Sequence, residues 1–375
     1  MSGMQPASII ITSYNYGRYL PETIDSAMSQ TYPNTEVIVV DDGSADSSRE
    51  IIASYGDRII PVLKENGGQG SAFNAGFSIS RGEVILFLDS DDALLPSAVE
   101  RAVNLFHEPN VVKVHWPLWV IDRLGRKTGR TIPKQSLPDG DLRDLIIRDG
   151  PASYHNPPTT GNAWSRSFLK KVMPVPEAEF RINTDTYLFT LAPLFGSFRK
   201  ISEPQGYYRI HSGNQLLHKR LDEKLGFILN LYDFRCRLLS KYLSDLGIES
   251  NPESWKAKAW WPRVDRSIQE ITRLVPEGMA FILVDGDGWG TDEFIAGRRR
   301  IPFIEREGKY WGAPSDDETA IGELERLRGT GAGHIVFGWP VFWWFDYLRG
   351  FHNYVRSRHR CVLENDRIVV FDLRP

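Results

Sequence analysis

Three carboxylates fall within four positions at Asp89-Ser90-Asp91-Asp92, directly after the apolar run Val84-Ile85-Leu86-Phe87-Leu88. An unbroken apolar run this short suits a strand buried on both faces of a parallel sheet. The run cannot continue inward past Asp89, because an unpartnered charge is costly to desolvate. The carboxylates are therefore expected at the carboxyl end of the strand, where open α/β sheets place their ligands. Clustered oxygen ligands without a neighbouring Cys or His favour a hard cation, Mn2+ or Mg2+. The competing reading is an acidic turn ahead of a helix starting near Ser97, and Asp-x-Asp alone does not choose between them.

The elements around this run decide what it can do. Ala7–Ser13 is apolar and β-branched, which predicts a buried strand, and Ser13-Tyr14-Asn15-Tyr16-Gly17 supplies turn chemistry after it. A helix is expected over Leu20–Gln30, with Pro21 tolerated in its first turn. Glu36–Val40 reads as a second strand ending in Asp41-Asp42-Gly43-Ser44, with Asp46 or Ser47 placed to cap the next helix. Ile59–Leu63 reads as a third strand, followed by the glycine-rich loop Lys64–Gly70 and a helix to Ser80. Strands alternating with helices predict an α/β fold with a mostly parallel, doubly wound sheet and right-handed crossovers. In such a sheet Ser13-Tyr14-Asn15, Asp41-Asp42 and Asp89–Asp92 leave from the same side and converge on one crevice. Each turn alone has an ordinary structural explanation; three with compatible chemistry point to a site.

Bulk properties remove several function classes. The chain has 375 residues, enough for two domains, and a formal net charge of −3, which gives no nucleic-acid footprint. Its two cysteines, Cys236 and Cys361, are far apart and suggest a reducing compartment without a disulfide framework. Met1–Ala7 has neither a basic nor a long apolar region, so no signal peptide is expected. No stretch has the apolar length of a membrane span. A cytoplasmic protein is expected, with peripheral contact at the inner face of the membrane as an option.

Residues 7–15, 29–44, Asn66 to Gly76 and Leu88–Asp92 together resemble the family 2 glycosyltransferases of the GT-A fold, over roughly Gln5 to Asn214. The resemblance implies a nucleotide-diphosphate sugar donor, a divalent cation and inversion at the anomeric carbon. It places Thr12 and Tyr14 in the base and ribose pocket, where a tyrosine ring can also stack on a base. It makes Asp42 the acceptor for the base's ring N–H and Asp41 the residue that orients the loop. Asn66 and Gln69 then belong to a loop over the nucleotide. Asp91 is directed toward the ribose or metal and Asp92 toward the metal, with Asp89 behind them. Family members commonly carry Ala-Arg-Asn where this chain has Ala72-Phe73-Asn74, which removes a basic contact from that helix.

Further along, Trp164 resembles an acceptor-side residue that stacks on a sugar; the alternative is a core tryptophan. Asp185 falls where the family places its catalytic base, although Thr184 replaces the usual Glu. The plain alternative for Asp185 is a helix N-cap. His211, in Gly206–Asn214, is implied to touch metal or diphosphate, or else is structural.

The expected organisation is a catalytic domain at 1–215, a helical linker or acceptor-side region at 216–262, with a helix over Leu216–Leu246 and a linker at Glu249–Pro262, and a small α/β domain at 263–375 that ends in a hairpin at Arg360–Leu373. In the last, Asp285-Gly286-Asp287-Gly288-Trp289-Gly290 lacks EF-hand spacing and reads as a plain turn. Its aromatics suit core packing, or binding of glycan or a membrane surface. The combined expectation is an inverting, metal-dependent glycosyltransferase acting on a glycan or lipid-linked acceptor, with no nucleic-acid partner. The rivals are a nucleotidyltransferase, disfavoured by the lack of a glycine- and basic-rich loop after the first strand, and a non-catalytic carbohydrate-binding scaffold.

Overall fold

The structure is a computed structural model that describes residues 4–213, 220–290 and 292–374. The chain divides into two compact units: one comprises 1–214 and 231–255, the other 215–230 and 256–375.

The first unit begins β1 (Ala7–Ser13), α1 (Leu20–Met28), β2 (Thr35–Asp42), α2 (Ser48–Ser54), β3 (Ile60–Lys64), α3 (Gln69–Ile79) and β4 (Val84–Asp89). It continues β5 (Ala93–Leu94), α4 (Ala98–Leu105), β6 (Val111–His115), β7 (Leu118–Ile121), β8 (Lys127–Ile132) and α5 (Arg143–Asp149). Then come β9 (Asn162–Ser165), α6 (Arg166–Val172), α7 (Asp185–Leu191), β10 (Ser197–Lys200) and β11 (Gly206–Arg209). Its seven-stranded sheet has the order β10-β6-β9-β4-β1-β2-β3. All of these strands run the same way except β9, which is antiparallel to both β4 and β6.

The mostly parallel sheet agrees with the reading of the sequence, and the β1, β4 and α1 patterns explain why. Leu20, Thr23, Ile24 and Ala27 make the buried stripe of α1 at helical spacing. Ile9 and Ile11 of β1 and Leu86 and Leu88 of β4 join them in one core layer. On the other side of the sheet the rings of Phe73 and Phe87 stack at 3.8 Å, and Gly76 lets α3 lie against Ile10 and Val40. A second, four-stranded sheet has the order β5-β11-β7-β8. Because β11 pairs with β5, the chain after β11 returns to the acidic end of β4.

Three helices follow: α8 (Leu221–Asp245), α9 (Pro252–Lys258) and α10 (Trp260–Leu274). The helix expected from Leu216 starts at Leu221, and residues 216–219, like Asn214, lie outside the described residues. Tyr232, Cys236, Leu239 and Leu243 are its buried stripe in the first unit. The stretch Glu249–Pro262, expected as a linker, is helical in α9 and at the start of α10. Trp255 drives this: its ring is buried and its Nε1 donates to Ile147 O at 2.9 Å.

The second unit holds β12 (Ala280–Val284), β13 (Phe294–Ile295), β14 (Arg298–Pro302), β15 (Glu305–Arg306), β16 (Lys309–Tyr310), α11 (Asp317–Gly329) and β17 (Ala332–Gly338). It ends with α12 (Trp344–Tyr347), α13 (Arg349–Arg358), β18 (Arg360–Glu364) and β19 (Ile368–Asp372). Its six-stranded sheet has the order β13-β14-β12-β17-β19-β18, with β14, β12 and β17 parallel. One face packs on α11 and α13, the other on α10, so this unit is three layers deep. Asp316 caps α11 by accepting from Thr319 N. Among the described residues, no helix is long and apolar enough to cross a membrane.

Candidate active site

In the first unit the chain moves outward from β1 through β2 to β3, then returns to β4 on the other side of β1. The carboxyl ends of β1 and β4 therefore flank a topological switch point, where ligands bind in open α/β sheets. The three polar turns do converge there. Asn15 N–H donates to Ser44 Oγ at 2.9 Å, Asn15 Oδ1 accepts from Ala45 N at 2.8 Å, and Gly17 N–H donates to Asp46 Oδ2 at 2.9 Å. Thr12 lies beside Asp89 in the sheet, and Tyr14, just past β1, is 45% exposed.

The loop before α3 is held by Asp42. Its Oδ1 accepts from Lys64 Nζ at 2.6 Å and Gly67 N at 2.9 Å; its Oδ2 accepts from Gly68 N at 2.7 Å and Asn66 Nδ2 at 3.2 Å. Asp41 is held instead by Arg49 Nε at 2.7 Å and Ser44 N at 3.2 Å. Orienting the loop, expected of Asp41, thus falls to Asp42. Asp42 orients the loop and has donors on both oxygens, so a base N–H would have to displace one of them.

Gln69 joins two elements that lie far apart in sequence. Its Nε2 donates to Asp89 Oδ1 at 3.1 Å, and its Oε1 accepts from Thr184 N at 3.0 Å. That second bond fixes the start of α7, whose first residue is Asp185. Asp185 is accordingly not the N-cap; Thr184 holds that position without a side-chain bond. Thr159 and Thr160 make a parallel link. Thr159 Oγ1 lies 3.5 Å from Asp185 Oδ2, and Thr160 Oγ1 donates to Asp92 Oδ2 at 2.7 Å.

Asp92 differs from its expected role. Its Oδ1 accepts from Arg209 N at 2.9 Å, so both carboxylate oxygens serve buried protein donors. Burial, followed by the Asp91 and Asp89 charges, pushes its proton affinity well up. It is held within the fold rather than presented to a metal. Asp91 is the carboxylate that meets His211, with Oδ2 and Nε2 2.9 Å apart. Gly213 N–H donates to His211 Nδ1 at 3.0 Å, which leaves the ring hydrogen on Nε2 toward Asp91. Tyr16 and Tyr19 pack on the imidazole at 5.5 and 4.8 Å between ring centres. Among the described residues no group of three or more His, Cys, Asp or Glu is placed to hold a metal.

Burial sets the proton affinities. Asp89 is pushed up to about 8, first by desolvation and then by Asp91 and Asp185. Asp185 is pushed up to about 6 by desolvation, against the pull of its bond to Thr186 N–H and the Arg235 and Lys113 charges.

Residues 8–161 match the family described as Glycosyl transferase family 2. The match covers less than half of the chain and marks these residues as similar to family 2 glycosyltransferases. An uncharacterized glycosyltransferase of Nostoc sp. is 38% identical over 211 residues, which is 55% of this chain and 65% of that protein. An uncharacterized glycosyltransferase of Rickettsia typhi is 48% identical over 101 residues, 27% of this chain and 32% of that protein. The chain thus covers less than two thirds of either relative. Among solved structures, S. aureus TarS 1–349 in complex with UDP-GlcNAc is similar at a TM-score of 0.48 and 19% identity, covering 72% of this chain and 82% of that one. The mannosyltransferase PcManGT of Pyrobaculum calidifontis, in complex with GDP-Man and Mn2+, is similar at 0.46 and 15%, covering 73% and 77%.

Trp164 lies in the core of the first unit. The ring is 1% exposed on β9, between Phe168 and Phe189, so it cannot stack on an acceptor sugar. An antiparallel strand in the middle of a sheet buries both faces, which the sequence Asn162-Ala163-Trp164-Ser165 does not reveal. Phe73, where an Arg was expected, is likewise core.

Lys113 and Arg235 were missed. Lys113 is wholly buried on β6, donates to Asn156 Oδ1 at 2.6 Å, and lies 4.2 Å from the centre of the Phe189 ring. Arg235 donates to Thr190 Oγ1 at 2.7 Å and to Pro151 O. A Lys in the apolar run Val111-Val112-Lys113-Val114 was the available signal.

Proposed function

We propose that this chain is an inverting glycosyltransferase. It moves a sugar from a nucleotide-diphosphate donor to a hydroxyl of a glycan or lipid-linked acceptor. The single observation that carries the reading is the placement of Asp185. It comes from an element outside the family 2 segment, yet Gln69 and the Thr159-Thr160 pair tie it to Asp89 and Asp92. A base with an affinity near about 6 is ionised at neutral pH and still basic enough to take a proton from an attacking hydroxyl.

In this reading Thr12 and Tyr14 receive the base and ribose, and the Asn66–Gln69 loop, fixed by Asp42, covers the nucleotide. Asp91 and His211 would hold a divalent cation: Asp91 offers a carboxylate oxygen, and His211 offers Nε2 once its ring hydrogen moves to Nδ1 and the 2.9 Å hydrogen bond between the two side chains opens; Mg2+ or Mn2+ takes few protein ligands beside substrate phosphates. Such a cation, when bound, neutralises charge on the leaving diphosphate. Arg209 supports this corner, with Nε donating to Asp91 O at 2.8 Å and a 2.6 Å pair to Glu22. Asp185 accepts the acceptor hydroxyl's proton.

The test is donor binding followed by transfer. Thermal stabilisation by nucleotide diphosphates, compared with and without Mn2+, identifies the nucleotide. Transfer from the matching sugar nucleotide, with the anomeric configuration of the product read by NMR, then decides the reaction. Retention of configuration, or no nucleotide diphosphate stabilising the protein, overturns the proposal.

A further inference from the structure

The second unit contains its own switch point. From β12 the chain passes to β14 on one side, and after α11 it returns to β17 on the other side of β12. The carboxyl ends of these parallel strands lead into three loops on one edge of the sheet. The loop after β12 carries Asp285, Asp287 and Trp289. The stretch after β14 carries Tyr310, the last residue of β16, and Trp311. The one after β17 carries Trp339 and Trp343, with Tyr347 on α12 behind them.

The first loop is more than a turn. Asp285 is buried, with Oδ1 accepting from Asp287 N at 3.0 Å and Oδ2 from Trp289 N at 2.9 Å. Gly286 and Asp287 both adopt positive φ, 63° and 61°, and such strain in a non-glycine residue clusters at functional sites. Arg300 on β14 reaches across to Asp287 and to Gly290 O. Burial, followed by the Asp285 and Asp287 charges, pushes the proton affinity of the Tyr310 hydroxyl up.

Two buried donors in this cluster have no acceptor among the described residues. Arg300 is 5% exposed and its Nε is unpartnered; Trp289 is 1% exposed and its indole Nε1 is unpartnered. Buried polar groups are nearly always satisfied, so both ask for an acceptor that the described residues do not supply. Arg263 adds a third, with its Nε unpartnered and its guanidinium 4.5 Å from the Trp339 ring centre. Trp339 lies 5.4 Å from Trp289 and 5.0 Å from Trp260.

The chemistry of the occupant follows from charge and ring count. Two carboxylates and two guanidiniums sum to no formal charge, which gives an anion no advantage over a neutral polyol. At the rim, Trp311, Trp343 and Tyr347 are exposed, and Trp343 and Tyr347 lie 5.7 Å apart. Exposed aromatic faces match the apolar face of a pyranose, while clustered donors and acceptors match its hydroxyls. We propose that the carboxyl edge of this sheet is a binding site for a neutral glycan, with Asp285, Asp287, Arg300 and Trp289 as its polar floor and Trp311 and Trp343 as its stacking walls. The site lies wholly in the second unit and stands independently of the transfer reaction.

The experiment is calorimetric titration of the full chain, without nucleotide, with maltohexaose, cellohexaose, chitohexaose and mannohexaose. At least one is expected to bind. Trp311→Ala and Trp343→Ala, both at exposed positions, should each weaken that binding by about tenfold with an unchanged melting temperature. Arg300→Lys keeps the charge but removes the Nε donor and should weaken it as well. Failure of all four oligosaccharides to bind, or equal binding by the wild type and both tryptophan variants, overturns the proposal. So does Trp-dependent sedimentation with anionic phospholipid vesicles in the absence of oligosaccharide binding, since the edge would then be a membrane contact.

Discussion

His211 and Asp91 stand 2.9 Å apart although 120 positions separate them in the chain. The pairing of β11 with β5 makes this meeting possible, because it returns the chain to the end of β4. The neighbouring Asp92 takes no part in it and faces Thr160 and Arg209 instead. Adjacent carboxylates thus have different partners, and substitutions should separate them.

Asp91→Asn or His211→Ala should abolish the Mn2+ dependence of nucleotide-diphosphate binding with little change in melting temperature. Asp92→Ala should do the reverse. It leaves a buried hydroxyl and a buried N–H without an acceptor, which costs about 1–3 kcal/mol each at most, so the protein melts earlier. Thermal melts with and without Mn2+ and nucleotide distinguish the cases. Unchanged metal dependence in Asp91→Asn would place the cation elsewhere.

Asp185→Asn should leave donor affinity nearly intact and lower turnover by roughly 10²–10⁴. Its stability follows from the direction of the shift. The folded-state affinity is raised to about 6 from 3.8, so the ionised carboxylate costs the fold stability above that pH. Asn removes this cost, so the melting temperature at neutral pH should hold or rise. In the wild type, transfer should fall as pH drops through about 6, because the base must be ionised. A rate independent of pH between about 5 and 7 would remove Asp185 from the role.

Lys113→Met tests the electrostatics beneath that base. A buried ammonium with one hydrogen bond is expensive, and an apolar side chain of similar volume is often neutral or stabilising. Loss of the cation should move the acid limb of the rate profile to higher pH. An unmoved limb would mean that Lys113 is uncharged in the folded protein, in keeping with the strong downward push of burial on its affinity.

Gly68→Ala probes the contact between the nucleotide loop and the segment before α7. Gly68 has φ of 90°, and an added Cβ would sit 2.8 Å from the Arg181 backbone. The positive φ alone costs about 1 kcal/mol for alanine, and the clash must push the 180–184 segment away. Donor affinity and turnover should therefore both fall, measured as nucleotide Kd and kcat. Normal turnover with weaker binding would show that the two segments move independently.

Much of this was readable in the chain because the signals are local. The runs Ala7–Ser13 and Val84–Leu88, the α1 stripe and the hairpin at Arg360–Leu373 each lie within a short window. What escaped depends on partners far away in sequence. Asp42 orients the loop because Lys64, Asn66, Gly67 and Gly68 reach it, while Arg49 holds Asp41. Asp92 is diverted by Thr160 and Arg209, residues 68 and 117 positions away. Trp164 is core because its short strand enters the sheet between two others, and no pattern over four residues announces an insertion.

That inserted strand has a consequence for how the molecule is made. Strands β1 to β4 form a contiguous parallel block, complete in sequence by Asp89. The remaining strands cannot be added until β9 has emerged, because β6 joins the block only through it. At about 5–20 residues per second of synthesis, the ribosome has delivered the first block seconds before the strand that admits the others. During that interval the outer edge of β4, later covered by β9, is an open template for pairing with other chains. The nascent protein is most exposed to aggregation in the window that ends at Ser165.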